Sequence, residues 1–275
     1  MNAKAVYAKA WQESAYTSFF MLQFLIEISN RSWDDFVASG TWDKSILDHA
    51  LDNIDPVRLV PLWESGDGLC TSFTIFVCEC IEGADFIFQN SSDGGHRAAV
   101  SPSGLVVDSS ARTLLSGDQG EEMKGFKGTW KFVKVPHLTL SFRSIRDATF
   151  KDFTPLQNKT EAIKKCLRQL HGTKKFICLF RTIESGTLRF NGKIEWDVVA
   201  RKITWSSRGV DGFEESCAIF NGDGNFMSQL DCLRSIRRFG MAEGRSEQYS
   251  RVRIVLNRIW KASVDVFGFP QFYEK

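Results

Sequence analysis

The stretch Gly66-Asp67-Gly68-Leu69-Cys70-Thr71-Ser72-Phe73-Thr74-Ile75-Phe76-Val77 constrains this chain more than any other. A loop with two glycines runs directly into a mainly apolar segment, and a cysteine stands at the join. Read as a helix from near Leu69 to about Ile81, the segment puts Cys70 in its first turn. Backbone N–H groups there lack helical acceptors, and with the positive end of the dipole they lower a thiol pKa and favour thiolate. Phe73, Ile75, Phe76 and Val77 also suit a strand, which would deprive the cysteine of that activation.

Downstream come Gly95-His96-Arg97-Ala98-Ala99-Val100 and Gly104-Leu105-Val106-Val107-Asp108. The pattern predicts strands over 84–89, 96–100 and 105–108, with turns at 90–95 and at Ser101-Pro102-Ser103-Gly104. A short turn makes two arms antiparallel, so their far ends become neighbours. His96 begins one arm and Asp108 ends the other. A thiol, an imidazole and a carboxylate in this order are the parts of a cysteine nucleophile, its base and the base's orienter. Cys70 would attack and its N–H would help hold the oxyanion. His96 would act as base and then acid, and Asp108 would fix the imidazole tautomer.

The remaining pattern reads as α+β, with helices packed on a central antiparallel sheet. A helix is expected over 5–28, where Phe20, Phe24 and Ile28 recur at four-residue spacing. Ser32 would cap a second short helix, and a third would cover 43–51. Pro56 and Pro61 bracket an expected extended segment at 57–60. Residues 116–125 read as a polar loop, 129–135 and 138–142 as strands, and 159–170 as an amphipathic helix. Strands follow at 176–183, 187–190, 193–198 and 201–205, with Asn191-Gly192 as a two-residue hairpin turn. Residues 225–239 and 246–266 read as closing helices. One domain over 1–275 is expected: a helical part at 1–60, a catalytic core at 61–142, then a hairpin and helices at 143–275.

Composition narrows the function classes. Net charge is +2 over 275 residues, which gives no reason to invoke nucleic acid or an anionic membrane. The most apolar run, 19–28, is interrupted by Gln23 and Glu27, and the first residues lack the plan of a secretory signal. Seven scattered cysteines suit reduced thiols in the cytoplasm, and Cys78-Glu79-Cys80 has the wrong spacing for zinc. No metal and no cofactor are expected, and the oligomeric state stays open. Among the other histidines, His49 and His171 read as structural, while His137 is a reserve base. Arg237-Arg238 reads as a solvated or dipole-complementing pair, and Gly222-Asp223-Gly224 as a turn.

A cysteine at a helix start, then histidine and aspartate on following strands, resembles the transglutaminase-like branch of papain-like cysteine enzymes, to which arylamine N-acetyltransferases are similar. Gly68-Leu69-Cys70, His96 and Val106-Val107-Asp108 carry the resemblance, over roughly residues 62–112. It implies a papain-like core and acyl-group chemistry through a cysteine thioester, either hydrolysis or transfer to an amine, on an acyl-bearing small molecule or peptide. Thr71 stands where transglutaminase-like proteins carry an aromatic residue. Ser65-Gly66-Asp67-Gly68 stands where acetyltransferases carry Arg-Gly-Gly, and Glu64 where papain-type enzymes carry a glutamine donor. A binding or regulatory module on the same fold, without turnover, is the alternative.

Overall fold

Polar side chains mark where the front helices begin. Ser32 accepts the Asp35 N–H at 3.0 Å while the Asp35 carboxylate takes the Ser32 N–H at 3.3 Å, a capping box that starts α2, Trp33–Ser39. Asp43 accepts the N–H groups of Ser45 and Ile46 and starts α3, Lys44–Asp52. The computed structural model describes residues 5–6, 9–10, 14–89, 96–100, 106–107, 120–125, 128–133, 150–154, 158–184, 187–208, 214–220 and 246–268. The chain divides into two compact units, one of residues 1–16, 56–165 and 181–189, the other of 17–55, 166–180 and 190–275.

The helix expected over 5–28 is broken by a short strand, β1 (Tyr16–Thr17), ahead of α1 (Phe19–Ile28). Hydroxyl side chains make the break. Thr17 Oγ1 accepts the Phe19 N–H at 3.1 Å, and Ser18 Oγ accepts the Ile177 N–H at 2.8 Å. The Ser18 N–H in turn donates to the Ile177 carbonyl at 2.9 Å. These bonds give the backbone partners other than its own preceding turn.

Ile177 lies on β8 (Lys175–Glu184), which joins β9 (Thr187–Asp197), β10 (Lys202–Arg208) and β11 (Glu214–Phe220) in a five-stranded sheet ordered β1-β8-β9-β10-β11. Adjacent pairs β9–β10 and β10–β11 are antiparallel. Asn191-Gly192 is not a turn; both residues lie inside β9, with Gly192 opposite Ser207. The glycine serves a close approach instead. A Cβ there would sit 2.5 Å from the Trp205 ring, so only a bare backbone fits beneath it.

The aromatic core of the second unit is built around Phe36, whose ring lies 4.4 Å from Trp42, 6.2 Å from Phe176 and 6.0 Å from Trp196. Each such pair adds about 0.5–1.5 kcal/mol beyond area burial. The long C-terminal helix α6 (Ser246–Phe267) buries Val252, Val255, Leu256, Ile259 and Ala262. It packs on α1 and α2.

In the first unit, residues 56–62 form a 3-10 helix, Pro56–Leu62, where an extended segment is expected from the sequence. Pro56 suits the opening position, since its missing N–H and fixed φ match a helix start. Next come α4 (Cys70–Cys80) and strands β2 (Asp85–Gln89), β3 (His96–Val100), β4 (Val106–Val107) and β7 (Phe150–Thr154). They form a four-stranded antiparallel sheet in the order β4-β3-β2-β7. Two further strands, β5 (Gly120–Gly125) and β6 (Gly128–Val133), form a separate ribbon.

Residues 120–125 are therefore strand rather than polar loop. Pairing from Gly120–Val133 to Gly125–Gly128 engages the backbone groups that face β6 without any apolar pattern on β5. The helix expected at 159–170 is α5, Lys159–Gln169. Residues 138–142, 222–224 and 225–239, with His137 and Arg237-Arg238, lie outside the described residues. The architecture is α+β, and among the described residues no helix is long and apolar enough to cross a membrane.

Candidate functional site

Cys70 is the first residue of α4, so the helical reading of residues 70–80 holds. The loop before it is fixed by Asp67, 3% exposed, whose Oδ1 accepts the Ala15 N–H at 2.6 Å and whose Oδ2 accepts the Ser65 hydroxyl at 2.7 Å. Gly68 returns an N–H to the Ala15 carbonyl at 3.0 Å and bridges to Tyr16 in parallel. Gly66 has φ +73° and Gly68 φ +119°, both in the region that favours glycine. A Cβ on Gly66 would also press on the Phe76 ring at 3.3 Å. The loop is thus held by the backbone conformation of its glycines and tied to residue 15 by one buried carboxylate.

Leu69 occupies the N-cap with extended backbone and gives the helix no side-chain cap. Its carbonyl accepts the first helical bond, from the Phe73 N–H at 3.1 Å. A cap without an oxygen leaves the first-turn N–H groups to find partners elsewhere, the condition in which a helix start favours negative charge. Cys70 is 9% exposed, and Thr71, Ser72, Phe73, Thr74 and Ile75 are buried. The hydroxyls of Ser72 and Thr74 are buried without a hydrogen-bond partner among the described residues.

His96 is the first residue of β3, paired across the ladder with Gln89 of β2. β3 packs against α4, so the structure brings together the helix that carries Cys70 and the strand that carries His96. β4 pairs antiparallel with β3 at Ala99–Val107 and Val100–Val106. Asp108 and the side chain of His96 lie outside the described residues. His171 is in a 3-10 turn, Leu170–Gly172, after α5, and His49 lies on α3 beside Asn53, its Nδ1 3.3 Å from Asn53 Nδ2.

Arg97 is the residue that sequence reasoning missed. It is 2% exposed, and its Nη1 donates to Thr71 Oγ1 at 2.7 Å, one residue beyond Cys70. A fully covered guanidinium places a fixed positive charge beside the helix start, where the dipole has the same sign. The available signal was an arginine directly ahead of the small and apolar run Ala98-Ala99-Val100 in one strand. Asp67 was missed too, although an acid between two glycines is a frequent loop anchor.

Of the thiols near the far end of α4, Cys78 and Cys80 are partly exposed. Burial pushes the Cys80 thiol above its ordinary value, with nearby Glu79 adding to the rise and Lys9 opposing it. Comparison of the chain with protein-family models, with curated proteins and with solved structures finds no match in any of the three.

Proposed function

We propose that the chain is a cysteine-dependent acyl-transfer or amide-cleaving enzyme of papain-like, transglutaminase-like plan, with Cys70 as nucleophile, His96 as base and then acid, and Asp108 as orienter. The observation that carries the reading is the seat of Cys70: first residue of a helix without a side-chain cap, behind a pinned glycine loop, on a helix packed against the strand of His96. In the step proposed, the Cys70 thiolate bonds to an acyl carbon and the bond to the leaving amine breaks. His96 gives that amine its proton. Water or a second amine then attacks the thioester, loses a proton to His96, and returns the thiolate. N–H groups of the first helical turn would hold the oxyanion.

Intact mass after incubation with amide and thioester acyl donors tests this. A mass gain equal to the acyl group, absent from Cys70→Ser, supports the reading; an unchanged mass with every donor and equal turnover by Cys70→Ser contradicts it.

A second reading has its own support. Arg97 reaches the helix start from β3 and donates to Thr71, the residue after Cys70. With Cys70 only 9% exposed, that arrangement also suits a binding or regulatory module that uses the same core without turnover. Rapid acyl-enzyme formation separates the two.

A further inference from the structure

Three hydroxyl side chains lie in the first half of α4, at Thr71, Ser72 and Thr74, and all three are covered. Those of Ser72 and Thr74 have no hydrogen-bond partner among the described residues. Thr71 is engaged, and its partner is the covered guanidinium of Arg97, whose Nη1 donates to Thr71 Oγ1 at 2.7 Å. Burial alone therefore does not account for the bond. It is made at the residue joined directly to Cys70.

Two features make that bond a lever on the thiol. Leu69 gives α4 no side-chain cap, so the first turn lacks the oxygen that commonly fixes a helix start. A threonine in a helix has two χ1 rotamers open to it, and a donor reaching Oγ1 from another element selects one. The planar peptide unit carries the constraint back from Thr71 to Cys70. The donor itself has a firm base. Arg97 lies on β3, between β4 and β2 in the sheet, and pairs with Phe88 in the β2–β3 ladder. Reactive groups supported from strands and helices hold their geometry more tightly than those supported from loops.

We propose that Arg97 is a positioning residue of the candidate site. Through Thr71 it fixes the first turn of α4, and with it the Cys70 thiol and the N–H groups offered to the oxyanion. This deepens the reading of Cys70 as nucleophile and rests on it. Arg97, 2% exposed, is too covered to touch a substrate and acts only through Thr71. Small displacements suffice for a large effect, since misplacing a reacting atom by about 1 Å can cost on the order of 100-fold in rate.

The test uses the full chain, with iodoacetamide labelling of each cysteine and the release of p-nitrophenolate from p-nitrophenyl acetate as rates. Thr71→Val, which removes the acceptor at constant shape, should slow Cys70 in both assays at least about fivefold. Thr71→Ser, which keeps the hydroxyl, should stay within about twofold of the parent. Arg97→Met should match Thr71→Val, and the double variant should fall no further, because both changes cut one link. Thr74→Val, the same substitution at a hydroxyl without a partner among the described residues, should leave the Cys70 rate unchanged, as should Gly192→Ala, a destabilising change in the other unit. Labelling of Cys78 and Cys80 should not change in any variant. If Arg97→Met fails to fold, the three threonine variants decide. A parent Cys70 that labels no faster than Cys78 and Cys80 would overturn the nucleophile reading and this inference with it. A fast parent whose Thr71→Val variant keeps the rate, or whose Thr74→Val or Gly192→Ala variant loses as much, would overturn the inference alone.

Discussion

The guanidinium of Arg97 and the hydroxyl of Thr71 meet at 2.7 Å, both side chains covered, at the residue that follows Cys70 in α4. A buried hydrogen bond from a charged donor is worth about 1.5–3 kcal/mol, and an orphaned partner costs more than the bond's net value. Thr71→Val is therefore expected to lower unfolding stability by about 2 kcal/mol. Arg97→Met is expected to cost at least as much. In a denaturant double-mutant cycle the pair should show a coupling of about 1 kcal/mol or more. Strict additivity would show the contact to be energetically idle.

Gly192 and Gly172 offer a contrast in the same unit. A methyl group at position 192 would lie 2.5 Å from the Trp205 ring, whereas nothing stands within 4 Å of one at position 172. Gly192→Ala should destabilise by about 1–3 kcal/mol through forced displacement of the ring. Gly172→Ala should be neutral or slightly stabilising, because it restricts the unfolded chain. Thermal unfolding of both variants checks this, and near-ultraviolet circular dichroism should change only for position 192.

Lys175 and Glu195 face each other across β8 and β9 at 2.8 Å. The hydrogen bond from Lys175 holds the Glu195 carboxyl below its ordinary value, and the same bond holds the Lys175 ammonium above its own. A carboxyl with a lowered folded pKa adds stability above its ordinary value and loses it as pH falls through the folded value. The lysine's share is present below its ordinary value and lost as pH rises through its raised one. Glu195→Gln should therefore reduce stability at neutral pH. The gap to the parent should close on acidification below the ordinary carboxyl range, as urea midpoints from pH 3 to 8 would show.

Capping gives the simplest stability prediction. Ser32→Ala removes the acceptor for the Asp35 N–H and should cost about 1 kcal/mol. A matching loss of amide-exchange protection should be confined to α2 and the aromatic cluster around Phe36. Uniform loss across both units would contradict a local role.

What the sequence made legible follows the range of each signal. Ser32, Asp43 and the glycine loop before Cys70 act within three or four residues, and the helices they announce are present. The segments that differ depend on distant partners. Asn191-Gly192 has the local look of a turn, but its glycine answers to Trp205 across the sheet. Residues 14–18 read as helix until Ser18 finds Ile177, and residues 120–125 read as loop until β6 pairs with them. At the candidate site, the seat of Cys70 was visible from the loop and apolar run. Arg97 was not, because its partner on α4 lies 26 residues away in sequence, and an arginine ahead of small apolar residues marks a covered charge without naming its partner.

The central claim is that Cys70 is held as a reactive thiolate. Alkylation by iodoacetamide, followed from pH 5 to 10 with each cysteine quantified by peptide mass, tests it most directly. Access alone favours Cys78 and Cys80, which are more exposed, and burial raises the Cys80 pKa. If the helix start activates the thiol, Cys70 should label first, with a half-maximal pH at least about one unit below the ~8.5 of a free thiol. Labelling of Cys70 after Cys78 and Cys80, or with a half-maximal pH at or above that of a free thiol, would contradict the account.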